Sequence, residues 1–136
     1  MPRTRRFVIP GVAHHITQRG NNRSDVFFTD ADRDFYLSIL LEKSRAYGLS
    51  ISAYCLMTNH IHLVATPLTD DALAKAVGLT HVIYAQAINK LHSRSGHLWQ
   101  GRFHSCPMDE DHTWRAVRYV ESNPVRAGLC RQPWDR

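Results

Sequence analysis

His60 and His62 are the residues of this chain whose type and spacing point most directly to chemistry. They sit in YCLMTNHIHLVAT, residues 54–66, where apolar residues alternate around them as in a β-strand, so both imidazoles fall on one face of a sheet. A strand rises about 3.3 Å per residue, which sets the two Cα atoms roughly 6.6 Å apart with parallel side chains. Two imidazoles at that separation can close around one metal ion. A working metal site also needs a third protein ligand, open positions for substrate and a reacting group nearby. The rest of the chain has to supply them.

The elements that position the pair are legible in order. Residues 12–19 (VAHHITQR) alternate as a first strand that ends at Gly20, Asn21 and Asn22. His15, Thr17 and Arg19 share one face of it, and His14, Ile16 and Gln18 the other. A lone histidine in a strand is ordinarily just half-exposed; the alternative, that His15 belongs to the active face, stays open. A helix follows, with Thr29 or Asp30 as N-cap, Phe35, Leu37, Ile39, Leu40 and Leu41 as its apolar side and Gly48 as its stop. Leu49 to Met57 and His60 to Thr66 form a β-hairpin, with the histidines just past a bend at Thr58 and Asn59.

Thr69 is read as the cap of a second helix that ends near Leu91. Its core candidates are Leu73, Ala76, Val77, Ile83, Tyr84, Ala87 and Ile88, and Gly78 interrupts it. Residues 93–108 contain a fourth strand and bring Trp99, Arg102 and Phe103 together. Interleaved aromatic and arginine residues suit a platform for single-stranded nucleic acid, and they equally suit a loop folded over the core. A third helix covers 109–122 and closes at Asn123-Pro124. At ~100° per residue, Trp114, Val117 and Val120 form its core stripe, whereas His112, Arg115, Tyr119 and Asn123 fall on another side. Tyr119 is thus out of register with the stripe, as a surface tyrosine or a reacting one would be.

The pattern β-α-β-β-α-β-α predicts an α+β fold: a ferredoxin-like antiparallel sheet with helices packed on it, in one domain spanning residues 1–136. A hydrophobic content of 43% with 21% charged residues is ordinary for a soluble protein, and no apolar run approaches the ~20 residues that span a bilayer. A cytoplasmic, nucleoid-associated protein without membrane partners is expected. Cys55, Cys106 and Cys130 are odd in number and widely spaced, which argues against a disulfide framework or zinc knuckle. The net charge is +5, and of 17 basic residues only Lys43, Lys75 and Lys90 are lysine. Arginine grips phosphate with a planar fork and stacks on bases, so this bias suits a nucleic-acid surface; a high-GC genome would produce the same bias.

Four segments in order, HHITQRGNNR, YCLMTNHIHLVATP, LWQGRF and YVESNPVRAGL, make the chain resemble the single-tyrosine HUH transposases of the IS200-like group. Within that group it is most similar to the REP-associated tyrosine transposases. The resemblance implies that His60 and His62 are metal ligands, that Tyr119 is the nucleophile and that Asn123 is the third ligand. Helical spacing agrees, because residues four apart can present a phenol and an amide oxygen to one centre. Imidazole plus oxygen ligands with open positions suit Mg²⁺ or Mn²⁺ better than a closed zinc site.

The implied reaction is cleavage and rejoining of single-stranded DNA through a 5′-phosphotyrosine intermediate, at repetitive extragenic palindromic hairpins. The candidates for DNA contact are Arg3, Arg5, Arg6, Arg19, Arg23, Arg102 and Arg115, with Trp99 and Phe103. The REP-associated branch implies a monomer, with a homodimer as the alternative. Relatives of this branch continue past the stretch matching CRQPWDR, whereas this sequence stops at Arg136. A competing reading from another class is a catalytically silent DNA-hairpin binding protein of the same fold. A hydrolase of the HxHxDH kind fails, because Leu63, Val64, Ala65 and Thr66 follow His62 with no Asp-His pair.

Overall fold

Local signals start and stop most elements in the computed structural model of the chain, which describes the backbone of residues 6–126 and the side chains of residues 6–118. Strand β1 (His14–Arg19) leads to helix α1 (Asp30–Tyr47). A capping box opens α1: the Asp32 amide donates to Thr29 Oγ1 at 3.1 Å, and the Thr29 amide donates back to Asp32 Oδ2 at 3.1 Å. Gly48 closes it in the left-handed conformation at φ 76°, where a side chain would be strained. The hairpin is β2 (Leu49–Leu56) and β3 (His60–Pro67). A π-helical turn over Ala74–Gly78 then runs into α2 (Leu79–Leu91), so Gly78 marks the end of an irregular turn within one helical rod. Strand β4 (His104–Pro107) and helix α3 (Glu110–Arg126) complete the order expected from the sequence.

The four strands form one antiparallel sheet in the order β2-β3-β1-β4, the split β-α-β arrangement of ferredoxin-like folds. Because the strand period is two, each strand sends one set of residues to each face. Ile16, Ile61, Leu63 and Ala65 pack against α1 and α2 in the main core with Phe27, Tyr36, Leu40, Tyr84 and Trp99. On the other face, Ala53, Cys55 and Val64 make a smaller cluster with Ala116 and Val117 of α3. The sheet therefore has a thick aromatic core on one side and a thin cover on the other.

Several expectations need correction. On α1, Phe35 and Leu41 are exposed, and Tyr36 takes the buried place beside Leu37, Ile39 and Leu40, because the inward face is centred on the 36/40 row. Thr69 does not cap the second helix; its hydroxyl donates to Asp71 Oδ1 at 2.6 Å. Trp114 is 64% exposed: α3 lies on its Ala116–Val117 side, which turns the indole outward. Helix α3 also runs through Asn123 and Pro124 to Arg126, past its expected end. Val120 falls among the side chains outside the described set.

Candidate functional site

The turn before His60 is fixed from three directions. Met57 donates to the His60 carbonyl at 2.9 Å, leaving Thr58 and Asn59 as the loop. Val26 and Phe27 donate to the Thr58 carbonyl, and Gly20 donates to that of Asn59 at 2.8 Å. Gly20 is required there, since a Cβ would collide with the Ser24 carbonyl. This clasp sets the direction in which β3 begins, and with it the placement of His60.

His60 and His62 do share one face, with ring centroids 5.1 Å apart and planes near perpendicular. His60 Nδ1 lies 2.8 Å from Asn59 Oδ1. An amide oxygen only accepts, so the bond requires the proton on Nδ1 and leaves the lone pair on Nε2 for a metal. Asn59, read from sequence only as part of a connection, is thus an orienting group. Its signal was adjacency to the first histidine.

His15 joins the pair from β1, so it lies on the same sheet face as His60 and His62. It pairs with Val64, two residue pairs along from Thr17–His62 and so on the same face. Its Nε2 lies 3.2 Å from His62 Nδ1, and the two rings stack at 5.3 Å. Burial lowers the pKa of His15 and His60. It pushes His62 down to about 4, with the neighbouring His60 and His15 adding to the effect. All three imidazoles are therefore neutral at neutral pH, the form that can donate a lone pair to a metal.

The pair opens onto a cleft of about 410 Å³ lined also by Thr17, Arg19, Gln100 and His104. His104 of β4 pairs with Thr17, which in turn pairs with His62, so three strands bring these residues into one row. No sequence pattern linked His104 to the pair, since β4 is placed only by long-range pairing. Among the described residues, no group of three His, Cys, Asp or Glu side chains could hold a metal. The donor set fits an open site in which two imidazoles are completed by oxygen ligands, and not a closed zinc centre.

Helix α3 crosses the histidine face. It follows Met108, whose amide donates to the Ala13 carbonyl, and packs Ala116 and Val117 on Ala53, Cys55 and Val64. Cys55 is the β2 partner of His62. The helix backbone then carries Tyr119 and Asn123, whose side chains lie outside the described residues.

Among the DNA-contact candidates, Arg19, Arg23 and Arg115 are exposed, and Arg19 reaches the histidine cleft. Arg3 and Arg5 lie outside the described residues. Arg6 and Arg102 line a different hollow, on the helix-packed side of the sheet. Trp99 and Phe103 are not an exposed stacking platform: they are 8% and 7% exposed in the main core. Trp99 stacks on His81 at 4.5 Å and donates its indole N–H to the His81 carbonyl. The segment is the loop folded over the core, one of the two alternatives its sequence allowed.

Residues 9–123 match the family model described as "Transposase IS200 like". No curated protein matches the chain. Among solved structures, a REP-associated tyrosine transposase bound to a REP hairpin is similar at a TM-score of 0.76 and 21% identity, over 98% of this chain and 78% of the other. A candidate transposase from Deinococcus radiodurans R1 is similar at a TM-score of 0.58 and 21% identity, over 90% and 97% of the respective chains. At these identities, the two structures establish a shared fold.

Proposed function

The chain belongs to the IS200-like transposase family, and from that premise we propose that it cuts and rejoins single-stranded DNA with Tyr119 as nucleophile and His60 and His62 as metal ligands. The observation that carries this reading is the pair of neutral imidazoles on one sheet face, opening to a cleft, with the tyrosine helix laid across the same face.

In this reading the Tyr119 oxygen attacks the scissile phosphorus. The P–O3′ bond breaks, the 3′ oxygen leaves as a hydroxyl, and the 5′ phosphate stays esterified to tyrosine. A second 3′-hydroxyl reverses the step at a new junction, and phosphodiester energy is conserved without a nucleotide cofactor. A bound Mg²⁺ or Mn²⁺ would supply Lewis-acid stabilisation of the phosphate oxygens. His60 and His62 would hold that ion, with Asn123 as the third ligand. Asn123 lies seven residues beyond Ala116, almost two helical turns, which supports a position on the sheet-facing side of α3. The phenol, with an ordinary pKa of about 10, must lose its proton on attack, and the Arg115 guanidinium is a cation that would favour this. Arg19 lines the cleft and would hold the DNA backbone there.

The substrate proposed is a palindromic hairpin with a single-stranded flank, read from the sequence resemblance and in keeping with the hairpin-bound relative. The test is a native and a denaturing gel with a hairpin oligonucleotide, Mn²⁺ or chelator, and the Tyr119→Phe variant. A denaturant-resistant band that needs both the metal and Tyr119 supports the reading. A native shift with no such band would instead mark a hairpin-binding protein that does not cut.

A further inference from the structure

The cleft at His60 and His62 has a further histidine in its wall, and the strand register puts it on the reacting side of the sheet. His104 of β4 is paired with Thr17 of β1, and Thr17 with His62 of β3. Directly paired residues share a face, so His104 and His62 lie on the same side across two strand spacings, about 10 Å apart at the backbone. His104 is exposed and lines the cleft beside Thr17, Arg19 and Gln100.

The approach of α3 gives that placement its meaning. Ala116 and Val117 rest on Ala53, Cys55 and Val64, and Cys55 is the β2 partner of His62. In the sheet order β2-β3-β1-β4, the helix that carries Tyr119 therefore reaches the histidine pair from the β2 side, and His104 stands on the β4 side. The pair lies between them. An in-line displacement puts nucleophile and leaving group on opposite sides of the phosphorus. In the cleavage reading, on which this inference rests, the leaving 3′ oxygen thus falls on the side of His104.

That oxygen needs a proton. A phenolate, whose acid has a pKa of about 10, is a weaker base than the alkoxide it must expel, so the step runs uphill unless the alkoxide is protonated as it leaves. Among the described residues that line the cleft, few can supply one. Arg19 keeps its proton, Thr17 and the glutamines do not exchange one near neutrality, and His60 and His62 turn their lone pairs to the metal in that reading. His15 does not line the cleft, and its Nε2 lies against His62 Nδ1. A histidine both gives and takes a proton near neutral pH. We propose that His104 is the general acid of cleavage and the general base of rejoining. The phenol proton goes to solvent, the Tyr119 oxygen bonds to phosphorus, the P–O3′ bond breaks, and the imidazolium of His104 gives its proton to the 3′ oxygen. In rejoining, the neutral imidazole takes the proton of an incoming 3′-hydroxyl as that oxygen attacks the phosphotyrosine and the phenolate leaves.

The test is cleavage of a hairpin oligonucleotide in Mn²⁺, beside the same strand with sulfur in place of the scissile 3′ oxygen, by the full chain and by His104→Ala. A thiolate is a much weaker base than an alkoxide and leaves without a proton. The expected result is a loss of about 100-fold or more on the oxygen strand, as removal of a general acid produces, and no loss on the sulfur strand. The covalent complex formed from the sulfur strand is then offered a strand ending in a 3′-hydroxyl, and rejoining in the variant should slow to a similar degree. Hairpin affinity in chelator, read on a native gel, should stay at the parent value. Equal loss on both strands, or a matching loss of affinity, would make His104 a phosphate contact and overturn the proposal. Cleavage of the oxygen strand or rejoining at the parent rate would overturn it as well. If the parent chain forms no covalent complex with either strand, the cleavage reading itself fails and this inference falls with it.

Discussion

Each face of the sheet holds a histidine whose pKa is driven far down, and the two keep different company. His81 faces the main core, stacked on Trp99 and bonded to Tyr36, and its pKa is pushed to about 3. His62 faces α3, and its pKa is pushed to about 4. Desolvation is the main cause in both, so a depressed histidine pKa does not by itself mark a site. The difference lies in the company. His62 is flanked by two further imidazoles and a cleft, whereas His81 is wrapped in aromatic rings.

Adjacent residues on the two faces break this comparison most sharply. His62→Ala should reduce DNA cleavage to background while changing unfolding free energy by no more than ~1 kcal/mol, because the ring sits at a half-open cleft. Leu63→Ala, one residue on and fully buried against the helices, should cost about 2–5 kcal/mol of stability. Denaturant titration of both variants beside a cleavage assay checks the pair. If His62→Ala unfolds the protein as Leu63→Ala does, the histidine face is core and not a site.

A smaller effect is expected one step out from the pair. His15→Ala or Asn59→Ala removes a group that orients His62 or His60, and should weaken Mn²⁺ binding about 10–100-fold with the fold intact. Paramagnetic titration of Mn²⁺ measures this directly. Unchanged Mn²⁺ affinity in both variants would show that the orientation of the rings is not limiting.

A further effect is on the core face and concerns acid. His81 has a folded pKa of about 3 against an unfolded value near 6.5, so the unfolded chain binds the extra proton. Its contribution is fully present above pH 6.5 and is lost as pH falls from there towards 3, by up to ~1.4 kcal/mol per unit. Chemical denaturation at pH 7 and pH 5 should show a shallower loss in His81→Gln than in the parent chain. An equal loss would mean that other groups set the acid sensitivity.

What could be read from the sequence follows the range of the interactions involved. Thr29, Gly48 and the alternation around His60 act within a few residues, and the elements they define appear where expected. The burial of Trp99 and Phe103 did not show, because an arginine-aromatic cluster has the same pattern whether its rings face bases or Tyr36 and His81. Which side of α3 meets the sheet was read only in part: Val117 is at the contact as expected, but Trp114 is not. Trp114 is the more hydrophobic choice, yet the close approach to Ala53, Cys55 and Val64 is made by the smaller Ala116 and Val117. His15 and His104 enter the site only through the pairing of β1 with β3 and β4, a long-range consequence of the topology.

The measurement that bears most directly on the central claim is a denaturing gel of the chain with an end-labelled single-stranded hairpin, with Mn²⁺ and with chelator, beside Tyr119→Phe. The expected result is a metal-dependent protein-DNA band that disappears in the variant. A band that persists in Tyr119→Phe, or that forms equally in chelator, would contradict the assignment of the nucleophile and the metal pair.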